Sequence, residues 1–337
     1  MVGRLLRIGV AVVLTAVVLY WSHPSQILAA AAGADWRWLL AALALVFVDR
    51  SLMALRWIEL LVALAPGSRP PLWTVLRVFF VSSFVSNFVP SVAADLYRAY
   101  ALSQYNVHLA ESTASVLMDR ALGVLSVAIV GAIALPFARD IAARGELMIW
   151  LGLLFALCAV AAAVIFSERA ADAVRAGASL IPLRVLHRVT GALTDAVRRY
   201  AAHHQELARV TVMSVLVQVI RVLQAWCLGR ALVLDVPLPL YFAFIPIIVL
   251  IMQLPISVNG IGTTQAAFAW LFVRQGAPAG PVFALSVLFL MLGILGTLPG
   301  GVLYALDDPG RRSGDSREGG GRGTRGSEGR GVRGTGR

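Results

Sequence analysis

Ser86-Asn87-Phe88-Val89-Pro90-Ser91 and Gln253-Leu254-Pro255-Ile256-Ser257-Val258-Asn259-Gly260-Ile261-Gly262 are polar interruptions, each set in a long apolar stretch of the chain. In hydrocarbon every backbone N–H and C=O must be bonded within the protein, so irregular backbone at membrane depth occurs only against protein or a water-filled cavity. A pair of such breaks in corresponding places points to a transporter's binding site. Both stretches therefore read as helices unwound inside a bilayer, with Pro90, Pro255, Ser257, Gly260 and Gly262 as the residues that unwind them.

Composition places the breaks in a membrane. The chain of 337 residues is 59% hydrophobic and 14% charged, with a mean hydropathy of +0.79, far more apolar than a soluble core of this size requires. Apolar runs fall near residues 8 to 22, 39 to 64, 72 to 89, 113 to 138, 147 to 166, 209 to 233, 239 to 256 and 280 to 305. Most reach the roughly 20 residues a helix needs to cross the bilayer, and none alternates as a barrel strand would. Cys158 and Cys227 lie singly in apolar runs and read as packing residues, with no zinc spacing around them. Arg4, Arg7 and an apolar core followed by Ala30-Ala31-Ala32 resemble a signal peptide, but with further spans behind them an uncleaved first helix is the simpler reading.

Charge sets the topology. Cytoplasmic loops are enriched in Arg and Lys, so Arg4 and Arg7 put the N-terminus inside. The connection from residue 167 to 208 carries Arg169, Arg175, Arg184, Arg188, Arg198 and Arg199 and belongs inside as well, as does the tail. Eight full crossings would put that connection outside. Two re-entrant hairpins, residues 72 to 107 turning at Pro90 and residues 239 to 277 turning at Pro255 to Gly262, satisfy every constraint. The expectation is an all-α polytopic membrane protein with about six full transmembrane helices and two re-entrant hairpins in an inverted repeat. A count of seven or eight spans is the rival if residues 72 to 89 simply cross.

In this reading residues 1–306 form the membrane domain, with one repeat at about 1–138 and the other at about 147–305. Residues 184 to 200 have the apolar spacing of a helix lying on the membrane surface. Residues 307–337, rich in Gly and Arg, have too little apolar surface to fold; from Pro309 onward, eight Arg against three acids suit contact with anionic lipid. Aromatic residues do not interleave there, so no nucleic-acid partner is expected.

Ionisable groups inside spans are expensive and mark function by default. Arg50 and Arg221 fall near the centres of their spans, each the second helix of its repeat. Asp49-Arg50 and Asp119-Arg120 are sequence neighbours, which on a helix point about 100° apart, so each charge must look to another helix or a ligand. With Arg56, Arg77, Arg98 and Arg230, the spans hold more guanidinium than carboxylate from Asp49, Glu59, Asp95 and Asp119. That surplus favours an anionic substrate, for which guanidinium is a bidentate phosphate ligand. The candidate substrate-binding residues are Arg50, Arg120, Arg221, Asn87, Asp95, Arg98, Asp119, Gln253, Asn259 and Gln265. Arg56, Arg77 and Arg230 read as interhelical pairs or snorkelling side chains. Gly260-Ile261-Gly262 lacks the strand and helix that frame a nucleotide loop, His203-His204 lacks metal spacing, and neither HExxH nor a nucleophile elbow occurs. No catalytic residue, cofactor or metal is expected.

Arg56-Trp57, Asn87-Phe88-Val89-Pro90 with Asp95 and Arg98, Asp119-Arg120, Leu254-Pro255-Ile256-Ser257 and Asn259-Gly260-Ile261-Gly262, taken in order, resemble the transmembrane region of the lysylphosphatidylglycerol synthase family, also called flippase-like. The chain departs from that pattern at Ala93-Ala94, where glycines are usual, and at Thr264-Gln265, where Arg-Glu is usual. The resemblance implies a domain that translocates lipids, in some members fused to an aminoacyl transferase. It makes this chain a translocator of an anionic phospholipid or a polyprenyl-phosphate lipid in a bacterial cytoplasmic membrane, with both termini cytoplasmic. Two alternatives stand beside it: a glycosyltransferase using polyprenyl-phosphate sugars with Asp95 or Asp119 as base, and an accessory subunit of a lipid-modifying enzyme.

Overall fold

The computed structural model describes residues 33–64, 71–89, 91–105, 107–134, 194–200, 202–253 and 262–306, with isolated positions between 152 and 191. The expected spans at 8 to 22 and 147 to 166, the tail, most of the surface helix, and Pro90, Pro255, Ser257, Asn259 and Gly260 lie outside the described residues.

The described residues are helical, without a strand. They form α1 (Trp36–Leu64), α2 (Leu72–Val85), α3 (Ser91–Ser103) and α4 (Leu109–Ala134), then α5 (His204–Ala231), α6 (Leu238–Gln253), α7 (Thr263–Phe272), α8 (Ala279–Leu295) and α9 (Leu298–Ala305). Four stretches are long and apolar enough to cross a membrane: α1, α4, α5, and α8 with α9 taken together as Ala279–Ala305. They correspond to four of the six full spans expected from sequence. At 1.5 Å per residue the 14 residues of α2 and 13 of α3 reach only about 20 Å, short of a 30 Å core.

The same order of lengths, long, short, short, long, thus appears twice. Helix α2 packs on α3 and α6 on α7, so each short pair folds back on itself. Helix α3 lies against α4 as α7 lies against α8, while α2 packs on α9 of the other half and α6 on α4. The largest helix interface joins α1 to α5. These two run antiparallel: the Asp35 N–H donates to the Ala231 carbonyl at one end, and Arg209 pairs with Glu59 at the other. The phenol of Tyr200, fully buried, donates to the Leu60 carbonyl at that second end.

Local sequence explains where the helices stop. Pro299 has no N–H to give the Leu295 carbonyl, and the chain breaks between α8 and α9 at Gly296-Thr297. Gly262 enters α7 at φ 85°, a backbone conformation open to glycine, and its N–H donates to Gln265 Oε1 at 2.7 Å. Close contact between the halves needs small residues. A Cβ on Gly300 would collide with the Phe80 carbonyl oxygen, and one on Gly296 would press on Val46 and Arg50. A core of Phe244, Phe268, Phe272 and Tyr241 fills the second half, and a smaller one around Trp57, Phe79 and Leu102 fills the first.

Candidate functional site

Arg50 lies midway along α1, and the antiparallel crossing brings Arg221 of α5 beside it. Asp49 sits between them. Arg221 Nε donates to Asp49 Oδ1 at 3.0 Å, and Asp49 Oδ2 stands 3.9 Å from Arg50 Nε. The neighbour pair Asp49-Arg50 therefore does not neutralise itself well, as the 100° rotation between adjacent helical residues requires. Arg50 Nη2 donates instead to the Gly293 carbonyl at 3.1 Å, at the point where Thr297 N–H turns back to Ile294.

Two cavities meet at this crossing, sharing Arg50, Ser86, Arg221 and Gln253 as a common wall. The first, about 230 Å³, is lined by the polar Asp49, Asn87, Gln224 and Thr297 and by the apolar Val46, Val249, Met252, Phe289, Leu290 and Ile294. The second, about 210 Å³, is almost wholly polar, with Ser82, Ser83, Asp95, Arg98, Asp119, Arg120, Arg56 and Gln218 around it. Asn87 bridges the halves by donating to Thr297 Oγ1 at 2.8 Å.

Five arginines and three aspartates line these cavities. Each aspartate has one close arginine: Asp119 with Arg56 at 2.7 Å, Asp95 with Arg120 at 2.9 Å, and Asp49 with Arg221 at 3.0 Å. Arg56 also donates to Ser214 Oγ on α5, tying three helices at one buried point. Arg120 gives both Nε and Nη2 to Asp95, joining α3 to α4. Among the described residues Arg98 has no carboxylate within 4 Å, and Arg50 has only its 3.9 Å share of Asp49. Two buried donors of residues lining the first cavity, Arg50 Nε and Gln224 Nε2, have no hydrogen-bond partner among the described residues. The arrangement offers donors and a surplus of positive charge.

Of the ten residues singled out from sequence as substrate-binding, Arg50, Arg120, Arg221, Asn87, Asp95, Arg98, Asp119 and Gln253 come together on the walls of the two cavities. Gln265 does not: its side chain caps the start of α7. Asn259 lies outside the described residues. Arg120 is committed to Asp95, which makes it a strut of the second cavity wall. Sequence reasoning missed Gln224, Gln218, Ser82 and Thr297. The signal was present, since polar residues in the centres of apolar runs are costly unless they face protein or a cavity.

A family comparison agrees with this picture. Residues 6–300 match the model of the lysylphosphatidylglycerol synthase TM region. No curated protein and no solved structure gave a match. The match spans both halves of the fold and both cavities, and the chain belongs to the lysylphosphatidylglycerol synthase TM region family, a family of multi-pass membrane proteins of lipid metabolism or transport.

Proposed function

We propose that this protein is a lipid translocator whose headgroup site lies at the crossing of α1 and α5. The anionic headgroup is held by Arg50 and Arg221, and its chains stay in or beside the bilayer. The observation that carries the reading is the arginine surplus on the cavity walls, five arginines against three aspartates, with Arg50 Nε and Gln224 Nε2 buried beside it without a hydrogen-bond partner among the described residues. A buried donor without a partner costs free energy, and a phosphate supplies several acceptor oxygens and a negative charge at once. The apolar part of the lining suits the hydrocarbon that a lipid brings with its phosphate.

The repeated order of helices and the antiparallel packing of α1 on α5 support an inverted-topology repeat. Transporters with that architecture expose a central site to the two sides in turn by rocking one half against the other. The Arg-rich end, where Arg209, Arg198 and Tyr200 gather near Glu59 and Leu60, is assigned to the cytoplasm. The enzyme reading is weaker because both candidate bases are occupied: Asp95 accepts from Arg120 and Asp119 from Arg56, and each must lose those bonds before taking a proton.

The test is transbilayer movement of a fluorescent anionic phospholipid in proteoliposomes, read by dithionite quenching. Wild-type protein is expected to raise the flipping rate, and Arg50→Gln and Arg221→Gln to abolish the increase. Wild-type vesicles no faster than protein-free ones, or variants as fast as wild type, would refute it.

A further inference from the structure

Once the three aspartates have taken their arginines, Arg98 is the cavity-lining cation that the site at Arg50 and Arg221 does not use. It is held with unusual firmness. Its Nε donates to Ser82 Oγ at 3.0 Å, and its guanidinium carbon stands 4.9 Å from the ring centroids of both Trp57 and Phe79. Both rings are fully buried, and Arg98 itself is only 7% exposed. The two ring centroids are only 6.2 Å apart, so they flank Arg98 from one side, and with Nε engaged the Nη groups are what it can present to the second cavity.

A buried guanidinium with no carboxylate in contact is costly, and contacts with aromatic faces return only part of that cost. The same holds for Arg50, whose nearest carboxylate is shared with Arg221 and lies 3.9 Å away. Both arginines line the second cavity, about 210 Å³ in volume, so one headgroup can reach both. A single phosphodiester carries one negative charge and leaves one of the two uncompensated; a phosphate monoester carries close to two, but on one phosphorus, whereas two phosphoryl groups bring a separate set of oxygens to each arginine.

We infer that Arg98 is a second anion subsite and that the headgroup carries two phosphoryl groups, one on Arg50 and Arg221 and the other on Arg98. This rests on the translocation reading above and narrows its substrate to a diphosphate. The diphosphate belongs to a lipid because the first cavity, on the far side of Arg50, gives its hydrocarbon the apolar wall of Val249, Met252, Phe289 and Leu290.

The experiment is equilibrium binding to the purified full chain in detergent, by microscale thermophoresis. Three probes are used: geranylgeranyl diphosphate, geranylgeranyl monophosphate and inorganic pyrophosphate. Wild type is expected to bind the lipid diphosphate about tenfold or more tightly than the monophosphate, as one extra charge-assisted contact allows, and to bind pyrophosphate weakly. Arg98→Gln is expected to bring the diphosphate down to the level of the monophosphate while weakening the monophosphate far less. An unchanged melting temperature reports an intact fold. Arg98→Lys, which keeps the charge, restores part of the preference. Equal affinity of wild type for the two lipids, with both lost in Arg50→Gln, overturns the diphosphate and leaves translocation standing. Equal weakening of both lipids in Arg98→Gln overturns the separate subsite. Pyrophosphate bound as tightly as the lipid diphosphate overturns the lipid assignment. Binding of none of the three by wild type removes the Arg50 site, and the translocation reading with it.

Discussion

Arg50→Met and Arg56→Met make the same chemical change on one helix, six residues apart, and are expected to have different consequences for stability. Arg56 is 3% exposed, 2.7 Å from Asp119, and also bonded to Ser214. Its removal leaves a carboxylate buried without its partner, which costs about 3–5 kcal/mol. Arg50 donates to the Gly293 carbonyl at 3.1 Å and weakly to Met53 Sδ at 3.8 Å, and its Nε stands 3.9 Å from Asp49 without a hydrogen bond. Loss of the carbonyl bond costs about 1.5–3 kcal/mol, and removal of a poorly compensated buried charge returns much of it. The net change is about 1 kcal/mol or less in either direction. At about 2–3 °C per kcal/mol, Arg56→Met lowers the melting temperature by about 6–15 °C and Arg50→Met moves it by about 3 °C or less. Intrinsic fluorescence of the eight tryptophans during heating in detergent reads both. Arg56→Met/Asp119→Leu, which removes both charges, recovers most of the loss. The argument fails if Arg50→Met destabilises as much as Arg56→Met, because Arg50 is then a structural residue and the vacancy around it is no ligand site.

Asp49→Asn frees Arg221 from its carboxylate, and the variant is expected to retain more anionic lipid through purification, counted by native mass spectrometry, while flipping more slowly because release is hindered. Gly296→Ala places a methyl against Val46 and Arg50, costs about 1–3 kcal/mol by overpacking, and lowers lipid binding by displacing Arg50. Gly300→Ala meets a backbone carbonyl that no side-chain rotation relieves, so its melting temperature should fall further than that of Gly296→Ala. Arg209→Ala removes pairs with Glu59 and Glu206 made by a side chain that is 63% exposed; solvent and salt screen such pairs to about 0.2–1 kcal/mol, and the flipping rate should not change.

Sequence alone reached the order of helices because each step rests on local chemistry. Apolar length marks the spans, and a polar run before Pro90 ends α2 at Val85. The proximity of Arg50 and Arg221 followed from their matching places in the two halves. Pairing did not follow, because it depends on rotation about each helix axis. Asp95, Asp119, Arg98 and Arg120 lie within 26 residues, yet Asp119 chooses Arg56 on α1 and Asp95 chooses Arg120 on α4. For the same reason Arg98 did not stand out from its neighbours: its aromatic clamp joins Trp57 of α1 to Phe79 of α2, a contact made only in the folded hairpin. Gln265 shows the same limit: a polar residue just after a break reads equally as a ligand or as a helix cap, and here the Gly262 N–H donates to it.

The antiparallel crossing of α1 and α5 also explains why a site at this place remains available to a substrate. Helices that hold corresponding positions in two inverted halves and cross antiparallel bring their midpoints together, so two central arginines face each other. Alone they repel. Asp49 lies on the crossing and satisfies one guanidinium at 3.0 Å while staying 3.9 Å from the other, so the empty site is stable enough to persist and still one anion short. An arriving phosphate gains Arg50 outright but must compete with Asp49 for Arg221. That competition caps the affinity, as the proposed translocation requires: binding has to be favourable enough for entry and weak enough for departure. A site with two free arginines would hold an anionic lipid without releasing it, and one with two matched pairs would have no reason to admit it.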